Sequence, residues 1–395
     1  MTVRDGQADV VVALAAAVLA VPRAEGLAAL GRGARAAVCG KRLAGRTLLD
    51  RAVLAGAGPE LLGALAASAP AQLSGGRERC TALHLAAAAG RADACAALLG
   101  ALGPAAVGLG GARDPEGQTA LHLADAEGHA EACEALLASP CFKHADGEDD
   151  DDSIALHRAA FGGHAETCKA LLSSTTLTVA GAANADGQTA LHCAAAEGHA
   201  VACEVLLCSE RFGAADAQDC DGGTALHRGA YFGHVAVCQA LLVARAFTGV
   251  DAVADRGLTA LHCAAEQGHA AACEVLLCSE RFGAADAQGA DGATALHLGA
   301  YCGHVAVCQA LLVARAFTGV DAVRGRGYTA LHCAAEQGHA AACEVLLCSE
   351  RFGAADAQSA NGNTALHWGA YFGHVAVCQA LLAARAFTGV DAVAD

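Results

Sequence analysis

A four-residue motif recurs along this chain at an almost constant interval, and this periodicity limits the possible folds more than any other feature. Thr-Ala-Leu-His, or a close variant, places a histidine at nine positions from His84 to His367. The first interval is 38 residues and the next seven are 35 residues each. A period of this length is typical of solenoids, in which each repeat buries its apolar face against its neighbours.

Each repeat carries the signals of two short helices. The motif threonine is a favourable N-cap, because its hydroxyl can accept a hydrogen bond from a free backbone amide. An alanine-rich segment follows and ends at a glycine, a residue that commonly terminates helices. A histidine then begins a second helical segment in every repeat but the first, where Arg91 takes its place, and a Leu-Leu pair closes that segment. The pattern predicts nine helix pairs over residues 81–395, joined by Gly- and Asp-rich turns or hairpins.

The composition agrees with stacked helix pairs and argues against two other classes of protein. Hydrophobic residues make up 55% of the 395 residues, which excludes a long disordered chain. Aromatic residues make up only 4%, which argues against one large conventional core. Alanine allows short helices to approach closely, so neighbouring repeats can bury together what each cannot bury alone.

Charge and apolar segments bear on the partners and the location of the chain. The 41 acidic and 25 basic residues give a net charge of −16, the opposite sign from proteins that bind nucleic acid or anionic membranes. The apolar run Val10–Val21 is too short to span a bilayer, and Asp5 and Asp9 make it a poor signal peptide, which favours a buried N-terminal helix. The 20 cysteines therefore indicate a chain in a reducing, cytoplasmic compartment and not a disulfide scaffold.

The repeats resemble the ankyrin repeat family, whose unit begins Thr-Pro-Leu-His, continues Ala-Ala-x-x-Gly-His and ends in a leucine pair. The resemblance covers about four-fifths of the chain. It departs from the family in two respects, because alanine replaces the usual proline and the period is 35 residues and not about 33. The extra residues follow the leucine pair, as in Val243–Thr248, which predicts a lengthened connection. The resemblance implies an all-α repeat solenoid of stacked helix-turn-helix repeats with hairpin-like loops.

We predict three segments along the chain. Residues 1–45 form capping helices, residues 46–80 a degraded repeat, and residues 81–395 the nine clear repeats. In the degraded repeat Thr47 begins the motif and Asp50 replaces the histidine. The last repeat ends at Asp395 with no polar cap, although the ends of solenoids normally need one. We therefore expect this end to fray, to associate end to end with a second copy, or to continue in a longer chain.

The regular histidines and cysteines have a structural and a metal-binding interpretation. Seventeen of the 18 histidines occupy the two repeat positions, with His144 as the exception, and a cysteine always lies eleven residues after the motif histidine. Equivalent thiols lie one repeat apart, about 8–10 Å, which is too far for disulfides. No zinc-binding spacing occurs, so we predict structural roles, no metal and no cofactor, and keep thiol-based metal or redox buffering as an alternative. The pattern favours burial under the following loop even for the thiols nearest to solvent, which are Cys208, Cys278 and Cys348.

Motifs for enzyme chemistry are not found in the sequence. There is no phosphate-binding GxxxxGK[ST] loop, no GxSxG elbow and no kinase signature set. The acidic run Glu148–Asp152 lacks the alternating ligands and the closing glutamate of a calcium loop, which favours a solvated hairpin tip. We therefore predict that the chain is not an enzyme.

Near-identical copies of a 70-residue double repeat occupy residues 191–260, 261–330 and 331–395, so the differences between them are informative. The differences cluster at the loop tips 219–223, 289–293 and 359–363, and on the first helix after the motif histidine. Drift after a recent duplication explains such differences as well as selection does. The resemblance to ankyrin repeats implies that these places line a concave face that binds partners.

The candidate partner-binding residues on this face form two sets. The aromatic and arginine set comprises Arg158, Phe161, Arg228, Tyr231, Phe232, Leu298, Tyr301, Trp368, Tyr371 and Phe372. The carboxylate and amide set comprises Glu127, Glu197, Glu266, Gln267, Glu336 and Gln337. Exposed aromatic side chains are typical binding anchors, and carboxylates between them favour basic partners. The alternative is that the aromatic side chains pack against the adjacent hairpins as local core.

These observations predict a non-enzymatic scaffold that binds a protein or peptide, basic in character, in the groove of the array. Neither nucleic-acid binding nor membrane insertion is expected. The alternative is the ankyrin portion or regulatory subunit of a larger signalling protein, such as a kinase, a channel or a ubiquitin-ligase adaptor.

Overall fold

The computed structural model describes residues 47–68, 80–102, 111–140, 142 and 145–388. The predicted capping helices of residues 1–45, His144 and the last residues of the final repeat, 389–395, lie outside the described residues. Within the described ranges the chain divides into two compact units. We call them the first array, up to Ala185 together with Ser209–Gly213, and the second array, Asp186–Cys208 and the residues from Ala214 onward.

The first array is built from helix pairs, and each helix packs on its equivalent in the next pair. The described helices are α1 (Leu48–Leu54), α2 (Pro59–Ser68), α3 (Ala82–Ala88), α4 (Ala92–Leu102), α5 (Ala120–Ala126), α6 (Ala130–Leu137), α7 (Ala155–Phe161) and α8 (Ala165–Ser173). Helices α1 and α2 form the degraded repeat, and Asp50 there accepts a hydrogen bond from the Thr47 amide at 2.7 Å, as the motif histidine does elsewhere. The boundaries of the three predicted segments stay predictions.

The second array repeats the same pairing. Its described helices are α9 (Ala190–Ala196), α10 (Ala200–Cys208), α11 (Ala225–Tyr231), α12 (Val235–Val243), α13 (Ala260–Gln267), α14 (Ala270–Cys278), α15 (Ala295–Tyr301), α16 (Val305–Val313), α17 (Ala330–Gln337), α18 (Ala340–Cys348), α19 (Ala365–Tyr371) and α20 (Val375–Ala383). The described ranges contain no β-strand, and two isolated antiparallel bridges, Glu148 with Ile154 and Arg324 with Tyr328, close hairpin-like loops. The predicted all-α repeat solenoid is confirmed.

In most repeats the motif threonine and histidine together cap the first helix and join it to the next repeat, whereas Ile154 takes the place of the threonine before α7. In α13 the Thr259 amide donates to Nδ1 of His262 at 3.2 Å, and the threonine hydroxyl lies 2.9 Å from the same nitrogen. Because Nδ1 accepts, Nε2 carries the proton, and it donates to the carbonyl oxygen of Ala293 in the next repeat at 3.0 Å. The buried imidazole therefore serves two repeats at once, as the resemblance to ankyrin repeats implied.

The Gly-His step supplies a second connection between repeats. Gly268 ends α13 in the left-handed conformation, with φ +84°, and the ring of His304 from the next repeat packs against it. A Cβ atom on Gly268 would lie 2.7 Å from Nδ1 of that ring, so glycine is required on grounds of both conformation and space. Nε2 of His304 donates to the carbonyl oxygen of Glu266 at 3.0 Å.

The two extra residues of the 35-residue period lie in an ordered connection after the second helix. Arg281 reaches back to the preceding repeat and donates to the carbonyl oxygens of Leu242, at 2.7 Å, Ala244, at 2.8 Å, and Phe247. These carbonyl groups include ones that the end of α12 leaves without an intrahelical partner. Phe247 itself is fully buried. The predicted lengthened connection is therefore held by an arginine cap and a buried phenylalanine.

The recurring cysteines form part of the core between neighbouring repeats. The cysteines of the second helices are fully buried from Cys95 through Cys343, and none of the described cysteines forms a disulfide. Cys208, Cys278 and Cys348 are exposed, so the expectation of burial under the following loop is wrong for them. They are the last residues of α10, α14 and α18, directly after the leucine pair that faces the core, and the loop leaves that position open.

Candidate partner-binding face

The hairpin tips lie beside the exposed side of the first helices, and together they form one surface. In the second array Arg228 of α11 donates from Nε to Asp219 at 2.8 Å and approaches Asp221 at 3.4 Å. In the first array Arg158 of α7 donates to Asp149 at 2.9 Å. We call this surface the tip–helix face, and it comprises the tip residues, such as 219–223, and the end of the first helix, such as 228–232.

Most of the predicted partner-binding residues are open to solvent. The exposed ones are Glu127, Phe161, Glu197, Tyr231, Phe232, Gln267, Tyr301, Gln337, Tyr371 and Phe372. The half-buried ones are Arg158, Arg228, Glu266, Leu298, Glu336 and Trp368. Glu127, Arg158 and Phe161 belong to the first array and the others to the second. Their role in binding stays a prediction.

The alternative interpretation of the aromatic side chains, local packing against a hairpin, holds for Trp368. Its ring lies 5.4 Å from the ring of Tyr328 on the preceding tip, measured between centroids. Its Nε1 is buried without a hydrogen-bond partner, as is the Oγ of Ser359. Tyr371 and Phe372 beside it remain 79% and 48% exposed, so an apolar surface persists at this end of the second array.

The positions that differ between the copies at the loop tip and on the first helix contact each other. Asp219 and Arg228 form an ion pair with N–O distances of 2.7 and 2.8 Å. The equivalent positions hold Gly289 and Leu298 in the next copy, and Ser359 and Trp368 in the last. Sequence analysis identified both groups of positions but did not connect them. The spacing of nine residues between Asp219 and Arg228, repeated in Asp149 and Arg158, was the available signal.

A pocket of about 460 Å³ opens in the tip–helix face of the second array. Three predicted residues line it, namely Arg228, Tyr231 and Glu266. Asp221 comes from the tip 219–223 that sequence analysis identified. The lining also includes residues that sequence analysis did not single out, which are Ala254, Asp255, Arg256 and Leu258 on the next tip and Cys263 on α13. The pocket is thus amphipathic, with carboxylates at the tips and one aromatic side chain on the helix. Such a mixture suits a polar side chain with an apolar stem.

The ionisable groups of this face do not form a nucleophilic or acid–base site. Burial, followed by the nearby charge of Glu266, raises the pKa of Cys263 to about 12, so the thiol is protonated at neutral pH. In the first array burial opposes ionisation of Asp149, but Arg158 and backbone amides prevail and lower the pKa of this carboxyl group. These groups are therefore suited to ion pairing and hydrogen bonding.

Neither a metal centre nor a membrane span is seen in the part of the chain that the structure describes. No group of three or more His, Cys, Asp or Glu side chains there is arranged to hold an ion. No helix in the same ranges is long and apolar enough to cross a bilayer. The alternative of thiol-based metal binding gains no support from these residues.

The difference between exposed and buried thiols gives a direct test of the helix orientations. Brief iodoacetamide treatment at pH 8 is expected to alkylate Cys208, Cys278 and Cys348 while sparing Cys238, Cys273, Cys308 and Cys343, since burial raises the pKa of these four thiols to about 12. Peptide mass spectrometry measures the modified fraction at each site. The denatured chain is the control and should react at every cysteine. Equal labelling of both groups in the native chain would contradict the structure.

Comparisons with known proteins were made for the whole sequence. The family model described as ankyrin repeats in three copies matches residues 30–146, 83–180, 156–251, 243–321 and 314–392. No curated protein matches the chain. A solved structure that is similar is titled "Crystal structure of the ankyrin repeat domain of Bcl-3: a unique member of the IkappaB protein family"; it is 27% identical, with a TM-score of 0.46, over 55% of this chain and 93% of that one.

Proposed function

Because the chain belongs to the ankyrin repeat family, a family of protein-interaction domains, we propose that it binds a protein or peptide partner in the groove that the tip–helix face lines. Ankyrin repeat proteins are in general non-enzymatic interaction modules, and we propose the same for this chain. The observation that carries the proposal is the set of exposed aromatic side chains on the tip–helix face of the second array, which are Tyr231, Phe232, Tyr301, Tyr371 and Phe372. In the first array the exposed ring of Phe161 occupies the position equivalent to Tyr231.

Exposure of these rings is difficult to explain by folding alone. Tyr231 and Phe232 contact one another edge to face, with ring centroids 5.1 Å apart, yet each remains more than 40% exposed. Tyr371 and Phe372 repeat the arrangement at 5.0 Å. A paired aromatic surface at the rim of a pocket offers a partner a large apolar area with few rotatable bonds, which is typical of binding hot spots.

The charges on this face support a basic partner. Glu266 and Glu336 lie at the ends of first helices, and Asp219, Asp221 and Asp255 lie at the tips. Together with the net charge of −16, these groups would attract a basic segment and speed its approach. A neutral or acidic partner would gain nothing from this arrangement.

The proposal predicts that removing the exposed rings weakens partner binding without unfolding the chain. The variant carries Tyr231→Ala, Phe232→Ala, Tyr301→Ala, Tyr371→Ala and Phe372→Ala, and leaves Trp368 in place because it packs on Tyr328. A partner captured by the intact chain from native lysate is expected to bind this variant at least about 30-fold more weakly, since lost hot spots weaken binding by about 2 kcal/mol or more. Surface plasmon resonance measures both affinities.

A matched control removes exposed apolar side chains from the second helices. Val243 and Val313 are each 80% exposed, and they are the last residues of α12 and α16. Their replacement by alanine deletes apolar surface at the C-terminal ends of the second helices. This control variant should bind the partner as tightly as the intact chain does. Unchanged affinity in the aromatic variant, or an equal loss in the valine variant, would reject the tip–helix face as the binding surface.

A further inference from the structure

The pocket beside Ala254 has an internal counterpart 70 residues further along the chain. Three side chains that line the pocket, Asp221, Tyr231 and Glu266, are repeated there as Asp291, Tyr301 and Glu336. Cys263 and Arg256 also recur, as Cys333 and Arg326. The pocket and its counterpart therefore share the same set of side chains. Comparing the two shows which group these side chains can bind.

In the counterpart these side chains hold a guanidinium group of the chain itself. Nη1 of Arg324, on the hairpin tip, lies 3.0 Å from the Oδ2 of Asp291. The guanidinium carbon of Arg324 lies over the ring of Tyr301, 5.8 Å from its centroid. The Arg324 side chain is only 23% exposed. An ion pair and a cation–π contact thus fix a guanidinium group at this point.

In the pocket, the residue equivalent to Arg324 is Ala254, and no side chain of the protein fills the space that Arg324 occupies in the counterpart. The methyl group of Ala254 ends where the arginine side chain continues in the counterpart, and the pocket of about 460 Å³ lies beside it. Leu258 replaces Tyr328 at its edge, which removes a second ring. The pocket therefore retains the acidic and aromatic side chains that hold Arg324 but lacks the arginine.

The pocket also carries more negative charge than its counterpart. The pocket is lined by four carboxylates, Asp219, Asp221, Asp255 and Glu266, and by two guanidinium groups, Arg228 and Arg256, a balance of −2. At the equivalent positions the counterpart holds two carboxylates and two guanidinium groups, a balance of zero. One added guanidinium would bring the pocket closer to the neutrality of its counterpart.

Arg228 does not supply the missing group, because it is already held by the tip of its own repeat. Its Nε and Nη2 lie 2.8 and 2.7 Å from Asp219, whereas Asp221 is 3.4 Å away. In the counterpart Leu298 replaces Arg228 and Gly289 replaces Asp219, so that ion pair is lost as a whole. Asp221 is bonded to Arg228 only through the longer contact of 3.4 Å, so its remaining lone pairs, the ring of Tyr231 and the carboxylate of Glu266 are left for a ligand.

From this internal comparison we propose that the pocket beside Ala254 binds the guanidinium group of an arginine side chain presented by the partner. The inference rests on the proposed function and specifies one element of its ligand. A planar guanidinium can stack on the ring of Tyr231 while its N–H groups donate to Asp221, a combination that a lysine ammonium reproduces less well. The partner segment therefore carries an arginine and not merely positive charge.

The test needs no natural partner, because two small probes suffice. Acetyl-Gly-Arg-Gly-amide and acetyl-Gly-Lys-Gly-amide are titrated into the purified full chain at low salt, and NMR of the probes measures binding. The arginine probe is expected to bind with one site per chain and a dissociation constant of about 1 mM, and the lysine probe about five-fold more weakly. Absence of binding by the arginine probe, or equal binding of the two, would overturn the proposal.

Two substitutions at equivalent positions make the test reciprocal. Ala254→Arg introduces the side chain that fills the counterpart, and it should weaken binding of the arginine probe at least about ten-fold. Arg324→Ala empties the counterpart, and it should raise the number of sites from one to two. Val243→Arg adds the same charge at an exposed position on α12, outside the pocket, and should leave binding unchanged. Unaltered binding in Ala254→Arg, or an equal loss in Val243→Arg, contradicts the assignment. Should Ala254→Arg fail to fold, the site number of Arg324→Ala decides alone.

The outcome separates this inference from the proposed function. If Ala254→Arg binds the natural partner normally while the aromatic variant does not, binding at the tip–helix face is supported and the arginine pocket is rejected. If Ala254→Arg weakens binding of the natural partner while a variant that lacks only Phe232, Tyr301, Tyr371 and Phe372 retains it, the pocket is supported and the wider face is rejected.

Discussion

Between pH 7 and pH 5 the chain is expected to lose most of its folding stability, because buried histidines must remain neutral in the folded state. Burial lowers the pKa of seven motif histidines, His84 and His122 in the first array and His192, His227, His262, His297 and His332 in the second. For His297 the pKa falls to about 4. The hydrogen bonds explain the resistance to protonation, since Nδ1 faces an amide N–H that it must accept.

The direction of the pH effect follows from these lowered pKa values. In the unfolded chain a histidine titrates near pH 6.5, so below that pH unfolding takes up a proton at each such site. The stability contributed by neutral histidine is complete above about pH 6.5 and is lost progressively as pH falls toward the folded pKa. Each site adds a slope of up to about 1.4 kcal/mol per pH unit, so five sites in the second array add up to about 7 kcal/mol per pH unit.

Chemical denaturation at a series of pH values from 7.5 to 5 measures this effect. Carboxylates with a lowered pKa, such as Asp149 and Asp291, lose stabilisation only below their ordinary pKa near 4, so a fall in stability over this window reports the histidines. Asp125, whose pKa is raised by burial, acts in the opposite direction. The variant His262→Gln should unfold with one proton fewer taken up and with a correspondingly shallower slope. Stability that stays constant from pH 7.5 to pH 5 would show that the motif histidines are not held neutral by burial.

Replacing Asp125 by alanine is expected to stabilise the first array by about 1–3 kcal/mol at neutral pH, the usual penalty of a buried polar group without a partner. Asp125 is fully buried in α5, and only one of its oxygens is bonded, to the thiol of Cys133 at 2.8 Å. Burial raises the pKa of this carboxyl group well above its usual range. The other clear repeats hold alanine at this position, for example Ala87, Ala160 and Ala195.

The pH dependence of this gain identifies its origin. A carboxyl group whose pKa is raised by folding is tolerated at low pH, and its penalty grows as pH rises above the unfolded value near 4. The stability difference between Asp125→Ala and the native chain should therefore be larger at pH 7.5 than at pH 5, as measured by urea denaturation at each pH. Asp125→Asn is the matched control, since the two variants should differ from each other by an amount independent of pH. A destabilised Asp125→Ala chain would show instead that the carboxylate has a partner in solution.

The architecture was predictable because the same local sequence signals recur from repeat to repeat. Threonine before an alanine-rich segment, glycine before histidine and a terminal leucine pair are local signals, and nine repetitions make them unambiguous. Asp50 accepts a hydrogen bond from the Thr47 amide as the motif histidine does in the clear repeats, and the assignment of residues 46–80 as a degraded repeat stays a prediction. The exposed state of Cys208 was missed, since burial at a helix end depends on the path of the following loop.

The candidate site was predictable only in outline. The exposed rings of Tyr231 and Tyr371 follow from their register on the first helices. That Trp368 packs on Tyr328 was not predictable, because it depends on how closely the preceding tip approaches. Likewise, Arg324 and Ala254 differ in sequence, but nothing in that difference alone indicates that the arginine reaches Tyr301.

The sequence by itself therefore determined the repeat, its two helices, their caps and the face that each helix buries. These properties depend on contacts within about ten residues or on contacts repeated identically at every period. The tertiary structure decided which tip meets which helix, that Asp219 and Arg228 form one contact, and that a pocket remains beside Ala254. Asp219 and Arg228 belong to one repeat, but whether they meet depends on the path of the loop between them. The pocket joins residues from neighbouring repeats, and its geometry is set by distances across the stack that no local pattern encodes.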